Sequence, residues 1–152
     1  MLTEQDWQIR LHIYTYFVEN GHPPTPAETA RHFAISVEQA RQIYHRLHDH
    51  HTLFLEPGTD TIRMASPLSA VPTDYRISVN GRWLWANCAW DSLGIPAMLN
   101  SDALINATFA HSREPITYQV KDGTLKGDGG ADIGIVHFSL PFRRWYDNLV
   151  HT

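Results

Sequence analysis

Asn80-Gly81 constrains this chain more than any other pair of residues. A two-residue hairpin turn needs positive φ at both central positions, which Asn and Gly adopt most readily, and such a turn sets the register of the strands it joins. The flanks alternate, with Tyr75-Arg76-Ile77-Ser78-Val79 before the turn and Arg82-Trp83-Leu84-Trp85 after it. That is the period of a sheet with one buried face. The second strand runs straight into Trp85-Ala86-Asn87-Cys88-Ala89-Trp90-Asp91. The hairpin therefore delivers Cys88, the only cysteine of the 152 residues, to a strand-to-helix junction.

Side chains at i and i+3 share one face of a helix, so the Cys88 sulfur and the Asp91 carboxylate are expected to face each other across one turn. Asn87 is a good N-cap residue, which predicts Cys88 in the first turn, where unpaired N–H groups and the helix dipole favour a thiolate. The negative Asp91 works against that charge, so the two groups would titrate as one coupled pair, with a proton shared or passed between them. The competing reading is that a single free cysteine is an ordinary small core residue.

Upstream, Trp7, Ile9, Leu11, Ile13, Tyr14, Phe17 and Val18 recur at mostly helical spacing and stop at Asn20-Gly21, predicting a first helix over residues 4 to 19. Thr25-Pro26-Ala27-Glu28 and Ser36-Val37-Glu38-Gln39 have capping-box spacing, the first with Pro at the first helical position, and predict two more helices joined by a tight turn near Ala34-Ile35. Thr52-Leu53-Phe54-Leu55 and Thr61-Ile62-Arg63-Met64 flank the turn Glu56-Pro57-Gly58-Thr59-Asp60 as a hairpin. Three helices and a hairpin form a winged helix-turn-helix pattern, whose last helix commonly enters the DNA major groove. Here residues 1–66 hold five Arg and no Lys against eight Asp and Glu, a net of −3, which argues against DNA as a partner. His45, His48 and His51 follow one another at i, i+3 spacing and can hold a metal, but a solvated helix end is the more ordinary reading.

Hydrophobic residues make up 43% of the chain, enough for a real core. No stretch approaches the roughly 18 uninterrupted apolar residues that span a bilayer, and Glu4, Asp6 and Arg10 interrupt any secretory signal after Met1. The expectation is a soluble cytoplasmic protein with no membrane role and no intrachain disulfide.

Ser66-Pro67-Leu68-Ser69-Ala70-Val71-Pro72 has two prolines and no period, which suggests a helical module at 1–66, a linker at 67–73 and a β-rich core at 74–152. In that core a short helix is expected from Ala89 toward Leu93, ended or kinked by Gly94-Ile95-Pro96. Strands are expected at 103–109, 115–120 and 133–140, with a loop at Gly127-Asp128-Gly129-Gly130 and a short helix or turn at 142–150. The fold class is α+β.

Asp74-Tyr75-Arg76, Val79-Asn80-Gly81-Arg82 and the run from Trp85 through Cys88-Ala89-Trp90-Asp91-Ser92-Leu93-Gly94-Ile95-Pro96-Ala97 resemble the alkylmercury (organomercurial) lyase family. Val136-His137-Phe138-Ser139-Leu140-Pro141 and Arg143-Arg144-Trp145-Tyr146-Asp147-Asn148 extend the resemblance, so it covers most of the chain. It implies a winged-helix-like part packed on a small β-rich core, and protonolysis of a carbon–mercury bond as the reaction. In that implication Cys88 is the mercury-binding thiolate and the metal ligand, and Asp91 takes and returns the proton. Mercury is a soft cation that prefers thiolate sulfur, and sulfur coordination weakens the carbon–metal bond so that a nearby acid can protonate the carbon. No cofactor is implied, mercury being substrate or product ion.

Trp83, Trp85 and Trp90 are expected to wall in the alkyl or aryl group, although tryptophans near a core hairpin are more often simply core. The family's second cysteine, which releases ionic mercury by exchange and shares proton delivery, has no counterpart among these 152 residues. Turnover would then draw on cellular thiols, with an organomercurial or another soft thiophilic compound as the small-molecule partner. Two other readings stand beside this one. One is a non-catalytic binding or sensing module of the same fold. The other is a cysteine-dependent enzyme of another class, with His111 or His137 activating Cys88, although an apolar strand around His137 suggests a core histidine.

Overall fold

The caps predicted at Thr25 and Ser36 are made, and Thr3 supplies a third that the sequence reading did not name. In the computed structural model, which describes residues 1–127 and 134–147, three helices α1 (Glu4–Asn20), α2 (Pro26–Phe33) and α3 (Val37–Asp49) each start from a complete capping box, at Thr3, Thr25 and Ser36. Each cap side chain accepts the N3 backbone N–H while the N3 side chain returns a bond to the cap's own N–H, so two otherwise orphaned donors are satisfied. Ala34, at φ 53, ends α2 in the left-handed region and makes the tight turn into α3.

Asp6, the N3 residue of the first box, is fully buried and binds Arg46 of α3 at 2.7 Å. Burial alone would raise its carboxyl; the hydrogen bonds from Arg46 and Thr3 more than offset this and hold it below the usual carboxylate range. A carboxylate held low when folded adds stability at pH values above its unfolded pKa of about 3.9, and that stability is lost as pH falls through the folded value. Asp6→Ala is therefore expected to cost roughly 2–4 kcal/mol in urea unfolding at pH 7. The gap to wild type should narrow as the pH is lowered below about 4.

Eight strands follow: β1 (Phe54–Leu55), β2 (Ile62–Ala65), β3 (Leu68–Ser69), β4 (Tyr75–Val79), β5 (Arg82–Ala86), β6 (Ala103–Thr108), β7 (Pro115–Lys121) and β8 (Thr124–Gly127). They form one antiparallel sheet in the order β1-β2-β3-β5-β4-β6-β7-β8, so the class is α+β. The β4–β5 turn has Asn80 at φ 49 and Gly81 at φ 74, the double positive φ that the Asn-Gly pair predicts. Segment 67–73 contributes β3, which splices the N-terminal hairpin to β5. One continuous core joins Ile9, Ile13 and Phe17 of α1, Ile43 and Leu47 of α3, and Ile77, Leu84 and Ile105 of the sheet.

Three sequence expectations need correction. The helix after Cys88, α4, runs Ala89–Leu99 with Pro96 inside it, so of the two alternatives, an end or a kink at Gly94-Ile95-Pro96, the end is excluded and the helix passes Leu93. Proline removes only its own N–H, and α4 buries Ser92, Ile95 and Pro96, so packing outweighs the single lost bond. Residues 134–140 carry no strand, Ile133 lying outside the described residues. The edge of β7 they would have met is taken by β8, formed from 124–127 where no strand was expected; of the predicted loop at 127–130, Gly127 ends that strand and the other three residues lie outside the described ones. His137 is exposed, not a core histidine. The predicted terminal turn is a 3-10 helix at Phe142–Asp147, with 148–150 outside the described residues. Among the described residues no helix is long and apolar enough to cross a membrane.

Candidate functional site

β5 is hydrogen-bonded on both sides, to β3 through Leu68↔Ala86 and to β4 through four residue pairs, and it ends two residues before the cysteine. The Asn87 N–H then donates to the Pro67 carbonyl at 3.4 Å. Cys88, extended at φ −150, takes the N-cap position that the sequence suggested for Asn87. Its carbonyl accepts the first helical bond, from the Ser92 N–H at 3.0 Å. The helix starts at Ala89 as expected, but Cys88 rather than Asn87 caps it, because the Asn87 N–H is held by Pro67. Asp91 falls in the first turn of α4, on the same side as the sulfur.

The electrostatics are those of a proton-sharing pair. Burial pushes the Cys88 thiol up, and Asp91, both as a negative charge and as acceptor of the S–H, pushes it the same way. The Trp90 and Asp91 backbone N–H groups favour the thiolate without prevailing; neither makes a full capping bond to the side chain. Burial also raises the Asp91 carboxyl, against the lowering effect of the Asn87 amide, 3.2 Å from Oδ2, and of the thiol. At neutral pH Cys88 is therefore a protonated thiol, with the Asp91 carboxyl one helical turn away. Its alkylation by iodoacetamide is expected to keep climbing with pH beyond the range of a free thiol, about 8.5. Asp91→Asn should move that profile to lower pH, read by mass spectrometry of the modified chain.

The charges of the pair reach two tyrosines on neighbouring elements. Tyr75, on the β4 face shared with buried Ile77, feels the charge at Cys88. Tyr14 of α1 feels the charge at Asp91. It donates to the Ser66 carbonyl at 2.8 Å and accepts from Arg10 Nη2 at 3.2 Å. Tyr14 was one apolar position among seven in a helical pattern, and nothing in that pattern marks contact with a turn some 70 residues away.

The structure does not bring the three tryptophans together. Trp83 and Trp85 alternate with buried Leu84 and Ala86, and so lie on the opposite sheet face, where the Arg76 guanidinium sits 4.5 and 5.4 Å from their rings. Trp90 is 57% exposed beside the Cys88 turn and meets Phe138 edge-on at 6.0 Å; Phe138 stacks on Trp145 at 5.3 Å. Residues 134–147 thus cross from Phe109 and Tyr118, which Gly134 approaches, past Trp90 to His51, on which Tyr146 stacks at 4.3 Å.

The histidines of α3 part company. His45 meets Asp60 at 2.8 Å and His48 Nδ1 accepts from the Leu55 N–H at 3.3 Å. Among the described residues no three His, Cys, Asp or Glu gather as a metal site. Arg41 and Arg46, the cations of α3, are paired with Asp60 at 3.1 Å and Asp6 at 2.7 Å. His111 is exposed; the groups acting on the thiol come from Asp91 and the Trp90 backbone. Two surface hollows of about 460 and 400 Å³ lie at the C-terminal end of α4 and beside His48 and Phe54. Neither is lined by Cys88 or Asp91.

Comparison with known proteins bears on the family and the fold. The family model for alkylmercury lyase (MerB) matches residues 68–151. The crystal structure of the mercury-bound form of MerB2 is similar, with a TM-score of 0.68 and 25% identity, covering 83% of this chain and 61% of that one. The chain thus spans less than two thirds of that protein's length. No curated protein matches it.

Proposed function

This chain belongs to the alkylmercury lyase family, and we propose that it cleaves the carbon–mercury bond of an organomercurial, with Cys88 as mercury ligand and Asp91 as proton carrier. The observation that carries this reading is the placement of Cys88 at the N-cap and Asp91 in the first turn of one helix, close enough that each acts on the other's proton affinity. Capture exchanges the substrate's counter-ion for sulfur: the S–H proton passes to Asp91 as the sulfur–mercury bond forms and the counter-ion leaves. An external thiolate then adds to mercury, and Asp91 returns its proton to the carbon as the carbon–mercury bond breaks, releasing hydrocarbon. A second external thiol displaces mercury from Cys88, leaving its proton on the Cys88 thiol and a bis-thiolate of mercury in solution. Mercury keeps its oxidation state throughout. Holding acid and thiolate in one turn replaces a bimolecular proton delivery by an intramolecular one.

A second reading, capture without cleavage, is favoured by Cys88 being the only cysteine of these residues. One experiment separates the two. The protein is incubated with an alkyl- or arylmercury salt and excess small thiol, while mercury bound per chain and hydrocarbon released are followed. Hydrocarbon beyond one equivalent establishes a lyase, a lasting single adduct without hydrocarbon establishes a capture module, and no adduct rejects both.

A further inference from the structure

Asn87, displaced from the cap, has a different partner. Its Nδ2 donates to Asp91 Oδ2 at 3.2 Å across one helical turn, and its backbone N–H is tied to the Pro67 carbonyl at 3.4 Å. The main chain that carries the amide is therefore anchored to the approach of β3. We propose that Asn87 is a positioning residue that decides which oxygen of Asp91 carries the proton, an inference that rests on the lyase reading above. A carboxyl group has two oxygens, and in the neutral acid the carbonyl oxygen is the stronger acceptor, so an N–H held on one oxygen favours the proton on the other. With Oδ2 held by Asn87, the proton arriving from Cys88 is carried on Oδ1. Oδ2 is then the carbonyl oxygen of the neutral acid and still accepts the same N–H. The bond survives both protonation states that Asp91 must visit, so the carboxyl keeps its orientation while its charge changes. Cys88 is the N-cap of the helix whose first turn holds Asp91, so a proton on Oδ1 is carried beside the sulfur and the carbon attached to the mercury it holds. No other residue type serves as well at this position: Asp would set a second negative charge against Asp91, and an apolar side chain would offer no donor.

The test uses the full chain with phenylmercury as the probe and excess small thiol, timing capture and benzene release separately. Asn87→Ala is expected to leave capture within about twofold and to slow release by about tenfold or more, because only the oriented proton is lost. Asn87→Gln, whose amide also reaches a carboxylate at i+4, should recover part of that loss. Equal slowing of both steps, or unchanged release in Asn87→Ala, overturns the role. A wild-type chain that releases no benzene overturns the lyase reading and the role with it. In that case the ¹⁵N-resolved signals of the Asn87 side-chain NH₂ still decide the bond itself: a shift on Asp91→Ala sustains it, and signals like those of a free amide that ignore the change remove it.

Discussion

Cys88→Ser is expected to reduce mercurial bound per chain to background and to lower hydrocarbon release by about 10³-fold or more. The oxygen of serine fits the same N-cap position and is a better capping acceptor than sulfur, so the fold should survive and thermal unfolding should stay close to wild type. What is lost is chemical. Mercury prefers soft sulfur over hard oxygen, and a serine hydroxyl beside a raised carboxyl stays protonated. The measurement is mercury per chain by intact-protein mass spectrometry, with circular dichroism as the fold control. Stoichiometric capture by Cys88→Ser would remove the thiol from the mechanism.

Asp91→Asn separates the two halves of the reaction. The amide keeps the shape and the contact with Asn87 but carries no transferable proton, so capture should persist while release slows by about 10²–10⁴-fold, the usual worth of a positioned general acid. A variant that still captures but releases far more slowly is a signature that misfolding does not produce. If release were unaffected, the proton would have to come from water or from the external thiol.

Much of this was legible before any coordinates because the decisive signals are local. The capping boxes at Thr25 and Ser36 and the turn at Asn80-Gly81 each act within a few residues, and each forms as read. The pairing of Cys88 with Asp91 is also local, an i, i+3 relation that needs only a helix start nearby. The features that escaped depend on what lies across the fold. Pro96 stays inside α4 because the sheet pays for it in burial, a fact absent from the run Gly94-Ile95-Pro96 itself. Ile135 and Phe138 have strand-like neighbours in sequence, yet β8 already occupies the edge they would need, and Ile135 is left 91% exposed. Alternation around Leu84 already assigned Trp83 and Trp85 to the face opposite it, but only the packing of α4 and Tyr75 tells which face borders the thiol.

β5, the strand that brings the chain to Cys88, has partners along both edges. Interior strands open only in the larger unfolding events of a protein, whereas loops and edge strands open often and locally. The backbone that aims this sulfur should accordingly show slow amide hydrogen exchange at Leu84 and Trp85, near the limit set by global unfolding. A nucleophile mounted this way is aimed by the whole sheet, and it loses its aim only when the protein loses its fold.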